Sequence, residues 1–146
     1  MPELGHVVLY VRDLQRSVDF YTQVVGLTTQ GHIFDNHATM LSGGRTHHEL
    51  LLIEVGDAPV PLQGHRIGLY HVGWKIGESL DTLREAKHRI LELGYQLDGQ
   101  SDHTVSQSLY LRDPDGNEVE VFVDDPGVDW RESKEWIDEP VKPLKL

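Results

Sequence analysis

The chain has 146 residues, 38% of them hydrophobic and 25% charged, which is enough for one domain with a real core and excludes a disordered or low-complexity chain. Acidic residues outnumber basic ones 24 to 13, for a formal charge of -11 with no Lys/Arg stripe, so nucleic acid is not an expected partner. There is no cysteine, so disulfides and thiolate ligands are excluded, and any metal must be held by carboxylates and by some of the nine histidines.

The opening residues, Met1-Pro2-Glu3-Leu4-Gly5-His6, carry neither a basic nor an apolar leader region, and no apolar run approaches membrane-spanning length. A soluble, cytoplasmic protein with no membrane contact is expected. A first strand opens on Leu4-Gly5-His6-Val7 and runs to Val11. A helix follows over roughly Gln15 to Val25, stopping at Gly26, and alternation from Glu49 to Val55 reads as a strand. Gly56 to Gly68, with Pro59 and Pro61, reads as a linker. Leu69-Tyr70-His71-Val72 then repeats the opening Leu-x-His-Val sixty-five positions later. Ser79 to Leu93 is the second helix, with Leu83, Ala86, Lys87, Ile90 and Leu93 spaced for one buried face and Gly94 as its stop. Strands at Ser108–Leu111 and Glu118–Val123 are joined by the tight turn Asp113-Pro114-Asp115-Gly116-Asn117.

Each half therefore reads as one strand, one helix and about three strands, a unit too small to bury its sheet alone. Two such βαβββ modules, about 4–58 and 67–125, are expected to pair as a single α+β domain over 1–125, their mixed sheets curled around a central metal cavity. Residues 126–146, rich in Pro, Trp and charge, read as a C-terminal arm that caps the domain or contacts a second subunit.

Successive strand residues point to opposite faces, which sorts the chemistry. Val7, Leu9 and Val11 share one face while His6, Val8 and Tyr10 share the other. Val72, Trp74 and Ile76 oppose His71, Gly73 and Lys75, and Val119, Val121 and Val123 oppose Glu118, Glu120 and Phe122. The aliphatic faces must pack on the helices, so both histidines and both glutamates lie on the other surface. Repeat-equivalent histidines converging with Glu120 would make a site of two His and one carboxylate, which suits non-haem Fe(II) with open positions for substrate and O₂. Mn(II), Zn(II) and Ni(II) are chemically compatible with the same donors. One such histidine alone reads as an ordinary sheet residue; two at equivalent places in a repeat do not.

Several motifs resemble the vicinal-oxygen-chelate superfamily over residues 4 to 125. They are His6 with Val11-Arg12-Asp13-Leu14, Ser17, Phe20-Tyr21, Gly26-Leu27, and Arg112-Asp113-Pro114-Asp115-Gly116-Asn117 before Glu120. Within that superfamily, Arg45-Thr46-His47-His48-Glu49-Leu50 and Asp102-His103-Thr104-Val105-Ser106-Gln107-Ser108-Leu109-Tyr110 resemble the second-shell segments of type I extradiol dioxygenases. The resemblance implies metal ligands His6, His71 and Glu120, with His48 as acid–base residue, His103 as a second pocket histidine and Tyr110 as the donor to a substrate oxygen. It further implies Fe(II), or Mn(II), with O₂ as co-substrate and a small aromatic diol opened beside its hydroxyls, in a homodimer or larger homo-oligomer. His32, His37, His65 and His88 match no motif and are expected at the surface.

Two rivals share the fold. A glyoxalase-like lyase wants a fourth carboxylate on the last strand of module one, where Leu50 and Leu52 are expected to face inward and cannot bind metal. A small-molecule-sequestering protein of the same fold needs no metal ligands at all.

Overall fold

Asp13 opens the first helix: its side chain accepts the Arg16 N–H at 3.0 Å, the usual N-cap arrangement for an Asp placed just before a helical run. This helix, α1 (Leu14–Phe20), follows strand β1 (Val7–Val11), and its last turn, Tyr21–Val25, loosens to i→i+5 hydrogen bonds before Gly26 stops it at φ 93°, a conformation that favours glycine. Strands β2 (Thr28–Ile33), β3 (Ala38–Ser42) and β4 (Leu50–Glu54) follow. The computed structural model describes all 146 residues, and their contacts divide them into two units, Met1–Gly64 with Asp113–Gly116, and His65–Arg112 with Asn117–Leu146.

In the first unit the sheet order is β1-β4-β3-β2, with β1 parallel to β4 and the other pairs antiparallel. Val11, Leu41, Leu50 and Leu52 are buried with Phe20, Tyr21 and Val24 of α1. Removing each such side chain from water is worth about 1.5–3 kcal/mol, and this face holds the helix on the sheet. Val8 and Tyr10, on the opposite face of β1, are 45% and 72% exposed, as the alternation requires. The Tyr21 hydroxyl donates to Asp113 at 2.7 Å inside the core, and burial, reinforced by the charge of Asp113, pushes its pKa well up.

The second unit repeats the plan with β5 (His71–Gly77), α2 (Leu80–Glu92), β6 (Leu97–Asp102), β7 (Ser106–Arg112) and β8 (Glu118–Asp124), in the order β5-β8-β7-β6. Ser79 caps α2 by accepting the Thr82 N–H at 3.2 Å. Leu83, Ala86 and Ile90 are fully buried, as are Leu109, Leu111, Val121 and Val123 of the sheet. Leu93, expected on that buried face, is instead 41% exposed, because the helix ends at Glu92 and the chain turns away. The C-terminal arm forms one short helix, α3 (Glu135–Asp138), then returns to the edge of β6. There Asp102 and Lys142 exchange backbone hydrogen bonds of 2.9 Å, and Gln100 Nε2 donates to the Leu144 carbonyl at 2.6 Å. No helix is long and apolar enough to cross a membrane.

Two α+β units with one strand order, each a βαβββ module, match the architecture expected from the internal repeat. His32, His37, His65 and His88 are exposed, also as expected.

Candidate functional site

Chemistry-bearing side chains gather on the face of each sheet that the helix leaves uncovered, and each unit carries its own cluster. In the first unit, His6 stands immediately before β1 and His48 two residues before β4; their rings are 4.8 Å apart. His47 stacks on His48 at 4.5 Å, with the two Nδ1 atoms 2.6 Å apart. Partial burial, then the neighbouring His47 and His6, pulls His48 below the ordinary imidazole pKa.

Glu49 and Arg45 hold this cluster in place. The Glu49 carboxylate accepts backbone N–H groups from Gly43 at 2.8 Å and from Arg45 and Thr46 at 3.2 Å, closing the loop that presents the histidines. Partial burial opposes ionisation of Glu49, but these donors and Ser42 outweigh it and lower its pKa. Arg45 reaches back to the carbonyls of Leu4, at 2.8 Å, and Gly5, at 3.3 Å, and to Glu3, fixing the segment that leads into His6. Sequence reading included both residues in a motif and assigned neither this role; an acidic residue three to six positions after Gly43-Gly44-Arg45-Thr46 was the available signal.

In the second unit, β5 and β8 run parallel with His71 beside Glu118 and Gly73 beside Glu120, so the three functional groups share one face. His71 Nδ1 lies 2.8 Å from Glu118 Oε2, and His71 Nε2 lies 3.1 Å from Glu120 Oε2. Glu120 also accepts from Ser108 Oγ at 2.5 Å and stands 3.4 Å from the Tyr110 hydroxyl. Tyr110, the direct cross-strand partner of Glu120, shares its hydroxyl with His103 Nε2 at 2.6 Å and with Ser101 Oγ at 3.1 Å. Burial, with the Glu120 charge, pushes the Tyr110 pKa up against the opposing hydrogen bond from Ser101, which keeps the hydroxyl a proton donor. His103 is presented by a tight loop in which Thr104 takes φ 71°, a strained value for a β-branched residue, with its N–H held by Asp102 at 2.8 Å.

The structure thus joins His71, Glu120, Tyr110 and His103 in one hydrogen-bonded chain and sets His6 beside His48 in the other unit. Within neither unit do three or more His, Asp or Glu side chains stand together as a metal-holding group. The donors nevertheless fit a cation. His71 faces Glu118 through Nδ1 at 2.8 Å and Glu120 through Nε2 at 3.1 Å, so a cation at Nε2 would meet both an imidazole nitrogen and a carboxylate oxygen. Room for Glu120 depends on Gly73, where an added Cβ would sit 3.1 Å from Glu120 Oε2 and 3.4 Å from Phe122. The set, imidazole and carboxylate without thiolate, suits iron or manganese.

One expectation needs correction. Leu50 and Leu52 pair with Val7 and Leu9 and are fully buried under α1, so they do not face the functional surface. The position of β4 equivalent to Glu120 is Leu51, since Leu50 follows the partner of His6 as Val119 follows the partner of His71. Glu54 is turned to α1, where it accepts the Leu14 N–H at 2.8 Å. The conclusion that module one offers no carboxylate equivalent to Glu120 stands, carried by a different residue.

Paired repeats of βαβββ plan, with a His–Glu pair on the uncovered face of one sheet, define the vicinal-oxygen-chelate class of fold. The chain belongs to the glyoxalase/bleomycin resistance protein/dioxygenase superfamily, which residues 3–121 match. It is 34% identical over 133 residues to the catechol-2,3-dioxygenase of Bacillus subtilis (strain 168), over 90% of this chain and 45% of that protein. Over 127 residues it is 27% identical to biphenyl-2,3-diol 1,2-dioxygenase 2 of Rhodococcus globerulus, 84% of this chain and 63% of that one. The chain spans about half the length of the Bacillus relative and under two thirds of the Rhodococcus one. A crystal structure of a glyoxalase/dioxygenase from Nostoc punctiforme superposes with TM-score 0.72 at 19% identity, covering 84% of this chain and 90% of that one, a likeness of fold alone.

Proposed function

We propose that the chain is an extradiol-type dioxygenase that opens the ring of a catechol-like diol, with Fe(II) held by His6, His71 and Glu120. The observation that carries this reading is the His71–Glu120 pair at 3.1 Å, continued through Glu120 and Tyr110 to His103. The names of the Bacillus and Rhodococcus relatives, both acting on aromatic diols by those names, support it.

When bound, the ion would supply a meeting point for the diol and O₂ and a route for electrons between them. The protein's own groups do the rest. His48, an imidazole beside His6, takes a proton from a diol hydroxyl and returns it later in the reaction. Tyr110 donates its hydrogen to a substrate oxygen as charge grows there, and His103, 2.6 Å behind it, steadies that hydroxyl. Both atoms of O₂ enter the product as the bond beside the hydroxylated carbons breaks, leaving a yellow semialdehyde-type acid. A homo-oligomer in the cytoplasm is part of the same proposal.

The lyase rival would need a carboxylate where Leu51 stands. The discriminating experiment is anaerobic reconstitution of chelated protein with Fe(II), Mn(II), Ni(II) or Zn(II), assayed on a catechol panel and on methylglyoxal with glutathione. Yellow product with Fe(II) and none with Ni(II) or Zn(II) is expected, because only a redox-capable ion passes electrons to O₂. Glutathione-adduct turnover supported by Ni(II) would move the assignment to a lyase.

A further inference from the structure

The φ of 71° at Thr104 is strained for a β-branched residue, and such a conformation persists only where the bonds around it over-determine it. The loop it belongs to presents His103, whose Nε2 lies 2.6 Å from the Tyr110 hydroxyl. Asp102 is the post from which this loop hangs. Its carboxylate accepts the Thr104 N–H at 2.8 Å and Gln107 Nε2 at 3.1 Å, while the His103 N–H donates to the Ser106 carbonyl at 2.8 Å. The backbone N–H and carbonyl of Asp102 itself both bond to Lys142 of the C-terminal arm, at 2.9 Å each. A second arm contact lies two residues earlier on β6. There the Gln100 side chain, on the α2 side of the sheet, accepts Lys87 Nζ at 2.9 Å and donates to the Leu144 carbonyl at 2.6 Å. Gln100 and Asp102 flank Ser101, whose side chain points the other way, with its Oγ 2.9 Å from His103 Nε2 and 3.1 Å from the Tyr110 hydroxyl.

We propose that the arm segment Lys142–Leu144 is a strap that positions the candidate site: by gripping β6 on both sides of Ser101 it fixes Asp102, and through Asp102 the loop that sets His103 against Tyr110. The end of an outer strand is among the first parts of a sheet to open, and here the strap ties that end on its free side. Opening at Asp102 would release the Thr104 N–H, let the strained φ relax, and carry His103 and Ser101 away from the Tyr110 hydroxyl. Pro140 and Pro143, on either side of Lys142, narrow the freedom of the arm before it docks, so its contact with β6 costs less entropy. The task given to Tyr110 rests on the dioxygenase reading above, whereas the grip of the strap on the loop does not.

Two variants of the full chain release the strap without altering the site residues. Gln100→Glu keeps an oxygen for Lys87 but sets a carboxylate, which cannot donate, against the Leu144 carbonyl. Lys142→Pro removes the N–H that the Asp102 carbonyl accepts. In either variant, hydrogen exchange at the His103 and Thr104 amides should be about 3- to 10-fold faster, the effect of losing one hydrogen bond of ordinary net strength. The His103 ring signals in ¹H–¹³C correlation spectra should move as well. With catechol as substrate, kcat should fall about 3- to 10-fold while KM changes little, because Tyr110 is assigned to charge that grows during the reaction. Exchange at His103 and Thr104 and ring signals unchanged in both variants would overturn the proposal, even if melting temperatures fall, since that pattern belongs to an arm that only covers an edge. Faster exchange with kcat unchanged would also overturn it, because the loop would then move without consequence for the site. Wild-type protein inactive on every catechol would refute the dioxygenase reading, while the exchange rates and ring signals still judge the strap.

Discussion

Replacing Glu49 with alanine should loosen the loop that carries His47 and His48. The wild-type carboxylate accepts three backbone N–H groups, from Gly43 at 2.8 Å and from Arg45 and Thr46 at 3.2 Å, and its side chain is only 12% exposed. A hydrogen bond to a charged acceptor is worth about 1.5–3 kcal/mol when water cannot replace it. Gly43 and Arg45 are exposed, so water recovers much of two of the three, and the expected loss is about 2–3 kcal/mol. That corresponds to a fall in Tm of about 4–12 °C for a chain of this size. Urea unfolding should show a lower midpoint at an unchanged slope. The pH dependence has a definite sign. Glu49 ionises more readily folded than unfolded, so its stabilisation is complete above the ordinary carboxylate range and is lost as pH falls through its lowered folded value. Wild type and Glu49→Ala should therefore differ at neutral pH and converge in acid. A loss under about 0.5 kcal/mol, or a gap that widens in acid, would refute the assignment of Glu49 as the loop's anchor.

His48→Phe should keep its metal and lose catechol turnover by about 10²- to 10⁴-fold, with metal content and kcat measured on one preparation; lost iron would instead make His48 a ligand. His71→Ala and Glu120→Ala should each lose bound iron while circular dichroism and unfolding midpoints stay near wild type, and full iron occupancy in both would sink the site. Gly73→Ala should leave stability within about 1 kcal/mol, the usual range for such a change where the backbone tolerates it. Its added methyl must push Glu120 aside by a few tenths of an ångström, so metal affinity should fall measurably, and an unchanged affinity would show that Glu120 has slack.

The repeat of Leu-x-His-Val made the modular plan legible, because self-similarity within one chain marks repeated structural units. Helix boundaries were legible from Ser79, Gly26 and Gly94, residues whose backbone preferences act locally, whereas the cap at Asp13, just before the expected start at Gln15, was not read. Strands β2, β3 and β6 were not located: Thr28-Thr29-Gln30-Gly31-His32-Ile33 and Leu97-Asp98-Gly99-Gln100-Ser101-Asp102 are polar edge strands with no apolar alternation to announce them, and β3 is only five residues long, Ala38-Thr39-Met40-Leu41-Ser42. The site was legible in part. The face shared by Tyr110 and Glu120 followed from alternation, and the strands do pair them directly. Which of Leu50 and Leu51 faces the functional surface did not, because a run of three leucines carries no alternation and its phase is set only by pairing with β1. The role of Glu49 was open to local reading, since Gly43, Arg45 and Thr46 lie only three to six positions before it, whereas the placing of Glu118 beside His71 was not, because it is fixed by register between strands far apart in sequence.

The return of the C-terminal arm to β6 bears on how the protein avoids its own kind. β6 is the outer strand of its sheet, and an unpaired outer strand is a template on which another copy can add backbone. The arm meets it with a single bridge at Lys142, flanked by Pro140 and Pro143, neither of which has an N–H to pass the ladder on. The plug is therefore self-limiting: it satisfies the backbone of Asp102 at one end of β6 while offering no continuous new edge of its own.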